Sequence, residues 1–244
     1  MASVPGILTA LGTPYDVAEG LVTAVTEYGG DAAVAHLFRH PPTSDVVLVD
    51  PFRLWEHRTQ VAQVPVPSLP QGEKDIDSGD LGALAWYFVL AARLPPTQAL
   101  NAVDGWSGDS YREYQSNGRT CVRATFGAGS GREAGTMQSA LGAWAAASPG
   151  VPITTHRSGN DVTVQSCDPG TAVPPHDLGP AVGLVVTRTY LGLGFMRTGL
   201  EPALARCVAG KLVQTYTVAE LTDPTFAQTH PTSAATVQRF ESHC

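Results

Sequence analysis

The sequence predicts an α+β fold, a helical N-terminal part followed by a small antiparallel sheet covered by helices, with disulfides as staples. Three observations carry that expectation. A run of apolar residues at helical spacing (Leu81, Leu84, Ala85, Phe88, Ala91, Ala92) precedes a hairpin signal at Asn117-Gly118. A second pair of short alternating segments, residues 153–157 and 162–165, follows one intervening helix, so the order is β-β-α-β-β. Four cysteines occur without CxxC or Cys/His finger spacing, which suits disulfides better than a zinc knuckle.

Taken in order, residues 15–28 read as an amphipathic helix with Val17, Leu21, Val22 and Val25 on one stripe. Gly29-Gly30 interrupts it, Asp31 caps a second helix, and Pro41-Pro42 stops that helix. Valine and proline alternate over residues 60–69, as in an edge strand or an extended connector. A turn at 71–74 divides the chain into 1–72, helical with an extended connector, and 73–244, an α+β domain with C-terminal helices. Within the latter, Ser78 or Asp80 caps the long apolar helix and Pro95-Pro96 ends it. Thr97 caps the next helix, whose left-handed C-terminal position falls to Gly105. Trp106, Gly108 and Asp109 complete a structural turn that releases Tyr111 into a strand. The return strand directs Val122, Ala124 and Phe126 to one face and Cys121, Arg123 and Thr125 to the other. A helix over 132–147 buries Met137, Leu141 and Trp144. Residues 171–180 form a proline-rich loop; residues 183–186 read as strand or helix, with a helix through 193 favoured, and helices over 201–213, 219–221 and 234–243 close the chain.

Composition removes several functional classes. The net charge of −7 and a pI near 5.4 oppose nucleic-acid binding, which demands a basic stripe. Only two of the 15 basic residues are lysines (Lys74 and Lys211), and no polybasic cluster would hold an anionic membrane. No apolar run reaches transmembrane length. Residues 1–13 have neither the charged nor the apolar region of a signal peptide, so the signal of an exported protein would have been removed or would lie outside this sequence.

The cysteines bear on compartment. Strand parity lets Cys121 and Cys167 meet on one face of neighbouring strands, which leaves Cys207 and Cys244 for each other. This is the favoured one of three connectivities, with four free buried thiols as the alternative. An even count favours an oxidising compartment, extracellular or cell envelope.

Candidate sites are few. His36 and His40, at i and i+4, can face one metal ion, but Leu37 stands where a zinc peptidase carries its glutamate base and no third ligand is evident. Histidines in a last helical turn also simply complement the helix dipole. Gly127-x-Gly129-x-Gly131 follows a strand and opens a helix, yet the sixth position is Arg132 and no Gly-Lys-Ser/Thr follows, so a linking loop is the better reading. Ser130 lacks the flanking glycines of a nucleophile elbow. Asp104, Asp109 and Glu113 gather near Trp106, as turn-forming carboxylates or a calcium site. No resident cofactor is expected.

The segments Pro14-Tyr15-Asp16-Val17-Ala18-Glu19-Gly20-Leu21-Val22, Gly29-Gly30-Asp31-Ala32-Ala33-Val34 and Pro41-Pro42-Thr43-Ser44 resemble secreted HExxH zinc-peptidase-like proteins of actinobacteria, in the portion after their metal-binding helices. The similarity runs on through Leu81-Gly82-Ala83, Arg93-Leu94 and Asp104-Gly105-Trp106-Ser107-Gly108-Asp109-Ser110-Tyr111, where that family carries a Gly-Trp-Gly-Gly-Asp-x-Tyr turn. Ser107 replaces a glycine, and Val49-Asp50-Pro51 stands where relatives often have a His-Pro pair. The resemblance spans residues 8–126. Neither HExxH nor its acidic third ligand is present in the 244 residues, so the resemblance implies a module like the C-terminal half of such a protein, without peptidase activity of its own. The implied role is support, substrate docking or protein interaction. The partner would be another envelope protein or the chain's own missing N-terminal domain. The alternatives are a free-standing cell-envelope binding protein, or an enzyme with a site near Trp106, Asp109 and His156.

Overall fold

The computed structural model describes residues 5–56, 59–148, 150–168 and 177–226 with 240, 242 and 244; side chains are described from residue 15 onward. The fold is α+β and disulfide-stapled, and its two compact units are discontinuous in sequence. A sheet unit comprises residues 1–6, 44–46 and 60–178, and a helical unit comprises 7–43, 47–59 and 179–244. This division differs from one at residue 72, because residues 7–43 and 47–59 cluster with residues 179–244.

In the sheet unit, β1 (Lys74–Gly79), β2 (Trp106–Ser116), β3 (Arg119–Ala128), β4 (Ile153–Ser158) and β5 (Asp161–Cys167) form one antiparallel sheet in the order β1-β2-β3-β5-β4. The hairpin turn is where the sequence puts it: Asn117 and Gly118 both have positive φ (50° and 76°), as a tight two-residue connection requires. Parity is also as expected. Ala124, Phe126, Val162 and Val164 are buried on the face covered by α3 (Ala83–Ala91), α4 (Pro96–Val103) and α5 (Gly131–Ala146). Trp86 of α3 meets Phe126 edge-on with ring centroids 5.6 Å apart.

β1 is a strand that alternation does not reveal. Lys-Asp-Ile-Asp-Ser-Gly has poor β propensity, yet its acids are claimed by the neighbouring strand. Arg112 donates to Asp75, Tyr111 Oη donates to Asp77, and Ser116 donates to Glu73 just before the strand. Ile76 is left out of the pairing as a bulge.

The caps expected for the helices after β1 need correction. Neither Ser78 nor Asp80 caps α3. Its free amides are taken by two distant carboxylates: Asp109 accepts from Leu81 N (2.6 Å) and Gly82 N (3.1 Å), and Asp45 from Ala83 N (2.8 Å) and Leu84 N (3.0 Å). Gly82 has φ +84°, and a Cβ there would lie 2.5 Å from Asp45 Oδ2. Burial pushes the Asp45 carboxyl above its ordinary pKa, the bonds from Ala83 N and Leu84 N notwithstanding. Pro95, not Thr97, occupies the N-cap of α4. Gly105 is not left-handed; it is needed because Glu133 packs where its Cβ would be.

The valine–proline connector, residues 60–70, crosses the other face of the sheet. Ala62 N donates to Ser107 O, Ser110 Oγ to Pro65 O, Arg112 Nε to Pro67 O and Arg123 Nη1 to Ser68 O. Gly108 permits this approach, since a Cβ there would stand 2.2 Å from Ala62 O.

The helical unit holds most of α1 (Pro5–Arg39), a 3₁₀ turn (Pro51–Leu54), α6 (Gly179–Arg197), α7 (Pro202–Thr215) and α8 (Val218–Leu221); the short α2 (Val46–Val49) straddles the division. α1 begins ten residues earlier than expected and breaks at Gly30 (φ 66°, ψ −173°), where the sequence places the interruption. Phe52 packs with Ala24 and Leu193, and its ring fills the space a side chain at Gly192 would occupy. Val208, Leu212 and Phe240 form a second cluster. The 171–176 part of the proline-rich loop and nearly all of the expected helix over 234–243 lie outside the described residues.

Cys121 is bonded to Cys167, its register partner across β3 and β5, and Cys207 of α7 to Cys244. This is the pairing that parity favours. The bridges span 46 and 37 residues, so each is worth about 3–4 kcal/mol in the chain-entropy picture.

Two outcomes follow. Asp109→Ala, which orphans Leu81 N, Gly82 N and Trp106 Nε1, is expected to lower unfolding free energy by about 3 kcal/mol in urea titration, against about 1 kcal/mol for Thr217→Ala in the exposed capping box of α8. In intact-mass measurements, alkylation of all four cysteines is expected only after reduction.

Candidate functional site

One pocket lies in the helical unit. Past the break at Gly30, Ala33, His36, Leu37 and His40 recur at three- and four-residue steps and line one side. Pro41-Pro42 ends the helix and turns the chain, and the end of the 3₁₀ turn returns Leu54 and Trp55 to the opposite side. Trp55 is held edge-on by Tyr28 at 4.9 Å and leans on Phe52 at 6.1 Å. The enclosed volume is about 550 Å³, within the range of small-molecule sites. Its walls are largely hydrocarbon and indole.

The polar side chains of the lining are those of His36, His40, Thr43 and Thr59. The imidazoles of His36 and His40 are exposed, stand 4.7 Å apart between centroids and are tilted by 39°. Neither ring hydrogen-bonds to a described residue. As metal ligands they supply two nitrogens; among the described residues no group of three or more His, Cys, Asp or Glu is placed to hold an ion. A structural zinc site needs four protein ligands and a catalytic one usually three. The pair lies at the edge of the pocket with both rings open to solvent.

The other residues singled out from sequence serve the scaffold. Asp109 shares the helix-covered face with Phe126, whereas His156 pairs with Thr163 on the opposite face. Trp106 Nε1 donates to Asp109 Oδ1 at 3.1 Å, so the indole and carboxylate lock each other. Trp106, Asp109 and His156 therefore share no site. The glycine-rich loop ends in Ser130, which accepts from Glu133 N as the cap of α5, and Gly129 N donates to Gly105 O.

One cluster escaped the sequence reading. Asp50, fully buried, sits among Arg53, Arg188 and Arg206; Arg206 donates to its carboxylate and Arg188 to Val49 O. Burial pushes the Asp50 carboxyl up, but the charges of Arg206, Arg188 and Arg53 outweigh it and hold the carboxyl below the ordinary aspartate range. The only sequence signal was Asp50-Pro51, a helix-start dipeptide whose arginine partners are up to 156 residues away.

No protein-family model, curated protein or solved structure matches the chain. No described helix is long and apolar enough to cross a membrane.

The Asp50 cluster sets the acid limb of stability. A carboxyl with a depressed folded pKa contributes stability above its unfolded value, near 3.9, and loses it as pH falls through the folded value. Melting temperature is therefore expected to fall below about pH 4 in the wild type. Asp50→Asn is expected to lower stability at pH 7 by about 3–5 kcal/mol, the usual cost of breaking a buried pair, and to flatten that acid limb.

Proposed function

We propose that the chain is a non-catalytic binding module of an exported protein, and that its ligand site is the pocket between Trp55 and the His36–His40 edge. The carrying observation is the combination of size and lining: about 550 Å³, walled by Val25, Leu37, Pro42, Leu54 and Trp55, with the imidazoles of His36 and His40 and the hydroxyls of Thr43 and Thr59 as hydrogen-bonding groups. That chemistry suits a ring-bearing or branched apolar ligand with an acceptor at one end. Two disulfides support an oxidising compartment. The resemblance to the region following the catalytic helices of HExxH peptidase-like proteins suggests docking for a neighbouring domain or envelope partner.

The test uses 8-anilinonaphthalene-1-sulfonate, an aromatic anion small enough for the pocket, titrated into the intact chain. Saturable one-to-one fluorescence enhancement is expected, at least about tenfold weaker in Leu37→Glu, which adds a charge to the apolar wall. His36→Ala with His40→Ala is expected to weaken the probe less than Leu37→Glu does, since only the polar edge is lost. Unchanged binding in Leu37→Glu, with native circular dichroism, sinks the assignment.

A further inference from the structure

The face of the sheet crossed by the 60–70 connector shows how this protein holds an extended chain. The connector follows β2 and steps to β3 at Ser68, and three of its four bonds to the sheet are donated by side chains to its carbonyls. Two of those acceptors are Pro65 and Pro67. A proline brings a carbonyl and no amide, so it answers a row of donors without leaving a backbone N–H unpaired. The face is built of donors, and a proline-containing segment is the matching backbone.

The row of donors does not end where the connector does. Beyond Pro67 and Ser68 a groove of about 380 Å³ continues over β5 and β4, lined by Arg123, Thr163, Gln165, Thr154 and His156 among others. Register places Thr154 opposite Gln165 and His156 opposite Thr163, all on the connector's face. Gln165 Oε1 accepts from Arg123, which leaves its amide N–H₂ facing no described acceptor. Neither the Thr154 hydroxyl nor the His156 imidazole has a described partner, and both side chains are exposed. The Thr125–Thr163 hydroxyl pair lies between the occupied and the open rows.

We propose that this groove is a second binding site, and that it takes a short, extended, proline-containing peptide lying alongside the connector. Its carbonyls would accept from Gln165, Thr154 and His156 as those of Pro65, Pro67 and Ser68 accept from Ser110, Arg112 and Arg123. The occupant is a separate chain, since the connector's own residues are already bonded across β2 and β3.

The probe is the capped peptide Val-Pro-Val-Pro-Ser-Leu, which copies connector residues 64–69, titrated into the intact chain and followed by backbone amide chemical shifts. The expected result is saturable shifts at Thr154, His156, Thr163 and Gln165, with little change along residues 62–68. Thr154→Val and His156→Ala, tested singly and together on the exposed edge strand, are expected to weaken binding, about tenfold for the pair. A peptide with alanine for both prolines is expected to bind more weakly. The proposal is overturned by no saturation below about 5 mM. It is equally overturned by affinity indifferent to the double variant or to the alanine peptide, or by shifts centred on the connector, which would mean displacement rather than a second site.

Discussion

The sheet unit depends on one electrostatic arrangement, the two carboxylates at the start of α3. Four amides that the helix itself leaves unpaired point at Asp109 and Asp45, one carboxylate from β2 and one from a three-residue piece of chain far upstream. α3 is apolar nearly all round and has no capping side chain of its own. It is therefore fixed in direction by charge at one end and by Trp86 against Phe126 along its side. Asp109 also accepts from Trp106, so the turn entering β2, the strand and the helix share one buried acceptor. Two carboxylates held close together, one of them with a raised pKa, are an electrostatic cost that the amides offset.

The helical unit answers the same problem with the opposite charge excess. Asp50 faces three guanidinium groups, one of which, Arg206, also pairs with Glu56 at 3.7 Å, and Val49 O takes a bond from Arg188. The stretch carrying Asp50 and Phe52 has little regular structure beyond short turns, so its position comes from this hub and from the Phe52 ring in the notch at Gly192. That stretch then delivers Trp55 to the pocket. Breaking the hub is consequently a route to losing the pocket without touching its lining.

Both proposed sites exploit surfaces the scaffold leaves with unused hydrogen-bonding capacity. In the helical unit these are two imidazoles beside hydrocarbon; in the sheet unit they are an amide, a hydroxyl and an imidazole beside a chain already bound. The difference in lining separates the ligands by class, an apolar small molecule in one case and a peptide backbone in the other.

Local chemistry in the sequence was enough for the α+β class, the Asn117-Gly118 hairpin, the parity of β3, the helix break at Gly30 and the pairing of the cysteines. Each of these rests on periodicity, a special φ or a two-residue alternation, and such signals are written within a few neighbouring residues. Even the His36–His40 edge was visible as an i, i+4 pair. Tertiary structure alone decided the rest. β1 is held because Arg112 pairs with Asp75 and the Tyr111 hydroxyl donates to Asp77, α3 is capped from 28 and 39 residues away, and Gly105 and Gly108 are required by packing rather than by φ. Trp55 opposite His36, Asp50 among its arginines and the connector over its donors all join residues distant in the chain. Contacts of that kind depend on where the backbone brings side chains together, and no local pattern encodes them.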